Sequence, residues 1–101
     1  MNIAKMMKQA QQMQAGMKAA QEELATRTVE ASSGGGKVTV VATGAGEVNS
    51  IKIDPTVVDP GDVDFLEDLV LKAVQDAITA GKDLAASEMK KLTGGLDIPG
   101  M

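Results

Sequence analysis

The chain has 101 residues, enough for one small domain and too few for two. It contains no cysteine and no histidine, which removes disulfides, thiol nucleophiles, zinc–thiolate sites, histidine triads and imidazole–metal centres. Ten basic residues against fourteen acids give a net charge of −4, so a protein that coats nucleic acid with a uniformly basic surface is excluded. A single Phe65 accompanies seven methionines. No apolar run approaches the roughly 18 residues of a membrane span, and Gln9 to Gln14 stand where a signal peptide would turn apolar. A cytoplasmic protein without membrane attachment is expected.

Residues 2–25 predict a helix. Ile3, Met6, Ala10, Met13, Met17, Ala20 and Leu24 alternate at spacings of three and four, and good helix formers fill the gaps, with Gly16 the one weak point. This stripe is expected to be an adaptable methionine-rich packing seam. Period-two patterning follows in Thr28–Ser32, Lys37–Ala42 and Val48–Ile53, broken by Gly34-Gly35-Gly36 and Gly44-Ala45-Gly46, which predicts a three-stranded antiparallel meander. Val48 is out of phase with Ile51 and Ile53, the mark of a bulge.

Asp54-Pro55 ends the sheet, because proline cannot donate to a ladder. After a turn at 59–62 a second helix spans about 63–92, with Asp62 or Asp64 as its cap and Asp64/Glu67 resembling a capping box. Lys90 and Lys91 suit its last turn, and Gly94-Gly95 should stop it. The fold class is therefore α+β, in the order α-β-β-β-α, with one domain over residues 1–95 and a flexible tail over 96–101. The apolar face of the second helix is broad from Val63 to Ile78 and narrow later. The early half should cover the sheet, and the later half should pair with the first helix through small Gly81, Ala85 and Ala10.

At about 1.5 Å per residue the two helices span roughly 36 and 45 Å, against about 20 Å for the strands, so they project as an arm. So little buried surface, with open sheet edges and surplus apolar width, calls for a homodimer. Charge is segregated along this arm. Residues 1–21 carry Lys5, Lys8 and Lys18 with no acid, whereas residues 54–83 carry eight acids against two lysines. Antiparallel helices should bring Lys5 and Lys8 beside Lys90 and Lys91 at the tip.

Gly34-Gly35-Gly36-Lys37 fails as a phosphate loop, since Val38 stands where Ser or Thr is needed and a strand follows. Gly44-Ala45-Gly46 fails as a dinucleotide fingerprint. The acids from Asp59 to Asp68 do not have calcium-loop spacing and suit helix capping. No carboxylate pair suggests a catalytic cleft, so no enzyme, metal or cofactor is expected. The tip lysines are either a solvated face that offsets the helix dipole or a phosphate-binding surface. Without Tyr or Trp there is no stacking platform for single strands, and one arginine limits base readout. Lysines would supply salt-sensitive, weakly selective contacts.

Several segments together carry a family likeness: Lys5-Met6-Met7-Lys8-Gln9-Ala10, Gly44-Ala45-Gly46-Glu47-Val48, Ile51-Lys52-Ile53-Asp54-Pro55, Leu66-Glu67-Asp68-Leu69, and Met89-Lys90-Lys91-Leu92-Thr93-Gly94-Gly95-Leu96 with Pro99-Gly100. In order and nearly end to end, these resemble the YbaB/EbfC nucleoid-associated family. The resemblance implies a non-enzymatic homodimer whose projecting helices bind double-stranded DNA in the bacterial nucleoid. By position, Lys5, Lys8, Lys90 and Lys91 match the projecting helices. The rival expectation is a helical adaptor that grips a protein partner with its methionine-rich face.

Overall fold

The computed structural model describes residues 2–92: α1 (Ile3–Leu24), β1 (Thr28–Ser33), β2 (Val38–Thr43), β3 (Val48–Ile53), a 3-10 turn (Pro55–Val57) and α2 (Val63–Leu92). The strands form one antiparallel sheet in the order β1-β2-β3, so the expected α-β-β-β-α order and meander are borne out. The expected Gly94-Gly95 stop and the 96–101 tail lie outside the described residues.

Turn chemistry sets the meander. Gly34, Gly35 and Gly36 all have positive φ, a run that side chains with a Cβ resist, and they reverse the chain between β1 and β2. The bulge falls where the phase break predicted it. Val41 pairs with Ser50 and Ala42 with Val48, which leaves Asn49 as the extra residue. That insertion returns Val48 to the side of the sheet occupied by Ile51 and Ile53, which pair with Val40 and Val38.

The core lies between that side of the sheet and the first half of α2. Val38, Val40 and Ala42 are fully buried with Ala73 and Ala77, and Val29, Ala31, Leu66, Leu69, Val70 and Val74 surround them. Alanine at 73 and 77 lets the helix settle close onto β2. Burying Val38 and Val40 contributes about 2 kcal/mol each. Ser33 Oγ donates to the Leu69 carbonyl at 2.6 Å and ties the far end of β1 to α2. The helix covers β1 and β2 and leaves every residue of β3 exposed.

Local capping decides between the two expected caps. Asp62, not Asp64, caps α2: its Oδ1 accepts from the Phe65 amide at 3.3 Å, and the helix starts at Val63. Asp64 sits inside the first turn, where the dipole favours its charge. The Asp64/Glu67 box is displaced because Asp59 holds the preceding turn, accepting from Gly61 N at 2.8 Å and Asp62 N at 2.9 Å. The 3-10 turn was not foreseen. Asp54 Oδ1 builds it by accepting from both Thr56 N and Thr56 Oγ1 at 2.8 Å, which also holds the Asp54 carboxyl below its ordinary range.

The arm is rooted where α1 meets the β2–β3 turn. Gly44 N lies 3.0 Å from the carbonyl oxygens of both Leu24 and Arg27 and donates to them. A Cβ on Gly44 would come within 2.8 Å of the Leu24 side chain, and one on Gly81 would collide with the Thr43 carbonyl oxygen. Gly81 therefore serves the helix–sheet crossing and not, as the sequence suggested, the approach of α2 to α1.

Candidate nucleic-acid interface

Beyond this root α1 and α2 run side by side for only part of their length. Of the apolar stripe on α1, Leu24 is buried and Ala20 half-buried, while Ile3, Met6, Met13 and Met17 remain exposed. Leu92, the last described residue of α2, lies against Gly16: a Cβ there would be 3.9 Å from Leu92 Cδ1. Among the described residues the expected seam along the whole of α1 is thus confined to Gly16–Leu24. The cause is length, because the first half of α2 is used over the sheet. Ala10 falls in the overhang and meets no partner helix among the described residues.

From Gly16 back to Ile3, about 20 Å, α1 runs beside no other described element. This separates the lysines that were expected to cluster. Lys5 and Lys8, one turn apart on one flank of α1, lie roughly 12–17 Å beyond the level of Leu92. Lys90 and Lys91 occupy the last turn of α2, beside the middle of α1. The four are placed on one arm, but at two stations.

The stations differ electrostatically. Among the described residues no ion pair involves Lys5 or Lys8, and α1 has no acid before Glu22. At the second station Glu88 Oε1 accepts from Arg27 NH1 at 2.7 Å and lies 3.5 Å from Lys91 Nζ. The Arg27 hydrogen bond, helped by the charge of Lys91, holds the Glu88 carboxyl below the usual glutamate range. Arg27, the one arginine of the chain, is thus engaged by α2. Its partner is 61 positions away, and nothing local to either residue signals the pairing.

The sheet end is different again. Lys37 is paired with Asp54 at 3.4 Å and Lys72 with Asp76 at 3.3 Å. Asp59, Asp62, Asp64, Glu67 and Asp68 gather there with no intervening base. Among the described residues no three acidic side chains converge to hold a metal ion, and no helix is long and apolar enough to cross a membrane. An open apolar groove of about 420 Å³ runs between Leu66, Val70, Leu71 and Val74. On the α2 side of the sheet Val48, Ile51 and Ile53 form an uncovered row.

Comparison with known proteins agrees with this architecture. The chain is 57% identical over 99 residues to a nucleoid-associated protein of Akkermansia muciniphila, covering 98% of this chain and 95% of that one. It is likewise 57% identical over 100 residues to one from Thermoanaerobacter pseudethanolicus, covering 99% and 90%. The crystal structure of the uncharacterized protein HP0035 from Helicobacter pylori shares the fold, with a TM-score of 0.79 at 20% identity over 91% of this chain and 97% of that one. The model of the YbaB/EbfC DNA-binding family matches residues 1–96, and the chain belongs to that family.

Proposed function

We propose that the chain works as a homodimer in the bacterial cytoplasm, binding duplex DNA of the nucleoid through phosphate contacts from Lys5, Lys8, Lys90 and Lys91. The observation that carries this reading is the run of lysines on α1 with no acid before Glu22, projected clear of an otherwise acidic body in a member of a DNA-binding family. Lysine supplies attraction to phosphate without a fork for reading guanine, so selectivity for sequence is weak. Dimerisation is supported by the uncovered row Val48, Ile51 and Ile53, an apolar surface that a second copy would shelter. No catalytic role is assigned to any residue.

A salt-titrated gel shift tests it. Affinity should fall by orders of magnitude from low to moderate ionic strength, and Lys5, Lys8, Lys90 and Lys91 changed together to Ala should abolish the shift while the dimer stays folded. Normal binding by that variant would refute the assignment of the lysines. The exposed Ile3, Met6 and Met13 favour the second reading, an adaptor for a protein helix, which predicts binding to DNA that is weak and indifferent to these lysines.

A further inference from the structure

Phosphate contact accounts for the lysines of the α1 overhang and leaves its large apolar side chains unexplained. Ile3 is 69% exposed, Met6 53% and Met13 43%. An apolar stripe edged by cations is complementary to an apolar surface edged by anions, and the opposite end of the same chain has one. On the first turns of α2, Asp64, Asp68 and Leu71 stand at i, i+4 and i+7, hence on one side, and Leu71 is 56% exposed. Val63 and Phe65 nearby are 49% and 52% exposed.

The two ends cannot meet within a chain. Ile3 lies at one extreme of a molecule 71 Å long, while α2 begins beyond Leu69, at the far end of the sheet. Pairing two overhangs with each other is opposed by two lysines on each, Lys5 and Lys8. We infer that the α1 overhang docks on the acidic start of α2 in a second copy of this chain, tip to base. Such a contact is heterologous and does not close on itself, so it adds copies in a row and yields assemblies larger than a dimer. Double-stranded DNA competes for the same lysines and shortens the rows. The inference does not depend on the DNA reading, because it is tested without DNA.

Sedimentation velocity of the full chain, free of DNA, should show species that grow with concentration at about 0.05 M salt and collapse to the smallest unit at about 0.5 M. K5E/K8E and D64K/D68K should each lose the larger species alone, and an equimolar mixture of the two should regain association, because one variant's tip then matches the other's base. M6S/M13S, with every charge intact, should weaken the growth at least several-fold. A size independent of concentration and salt in the unaltered protein overturns the inference, as does growth that survives both charge reversals or a mixture that regains nothing. Growth unchanged in M6S/M13S overturns the role of the apolar stripe.

Discussion

The sheet end and the arm are built on opposite terms. At the sheet end each inward side chain of β2 is buried, and Lys37 and Lys72 have carboxylate partners. On the arm one helix continues for about 20 Å past the described end of its neighbour, with its apolar stripe exposed and, among the described residues, no ion pair to Lys5 or Lys8. Stability resides in the first region and, on the function proposed above, contact chemistry in the second, so substitutions should separate cleanly by region.

The largest effect is expected at the boundary. G81A places a methyl group against the Thr43 carbonyl, which a helix and a strand end can relieve only by moving apart. A loss of about 3 kcal/mol should appear in chemical denaturation. V40A, within the core, should cost about 2 kcal/mol from the lost methyl groups and the cavity they leave. If either change were silent, the division between the two regions would fail.

The arm should respond in smaller and different ways. G16A should stabilise by about 0.5–1 kcal/mol, because the added methyl meets Leu92 at ordinary contact distance and glycine is a poor helix former. E88Q should lower Tm near neutrality by weakening the attachment of Arg27 and Lys91. The Glu88 carboxyl is depressed when folded, so its contribution is present above the ordinary glutamate range and is lost as pH falls through the folded value. The Tm gap between E88Q and the parent should therefore close on acidification. K5A/K8A should leave stability within about 0.5 kcal/mol while reducing the salt slope of DNA binding by about one unit per lysine that contacts phosphate.

Much of the fold was legible because it is written in short-range periodicity. Alternation located the strands, the glycine clusters located the turns, and the displaced phase of Val48 announced the bulge. Length and partner choice were less legible. A heptad stripe states which face of α1 is apolar but not how far α2 reaches along it, so Met6 and Met13 read as seam residues and stand exposed. Gly81 was recognised as a site of close approach, but its neighbour is the end of β2. The site was half legible: the segregation of charge was visible, whereas the spacing between Lys5/Lys8 and Lys90/Lys91 depends on how much of α2 the sheet occupies. The link from Arg27 to Glu88 crosses most of the chain and leaves no local trace.

The continuity of α2 from the sheet to the arm has a mechanical consequence. One unbroken 30-residue helix carries both the core contacts of Ala73 and Ala77 and the last turn with Lys90 and Lys91. Torque applied to that last turn would be delivered along the rod to a fulcrum at Gly81 and Thr43. That fulcrum is seated on backbone rather than on pliable side chains, so a load on the arm would pass to the platform without being absorbed at the crossing.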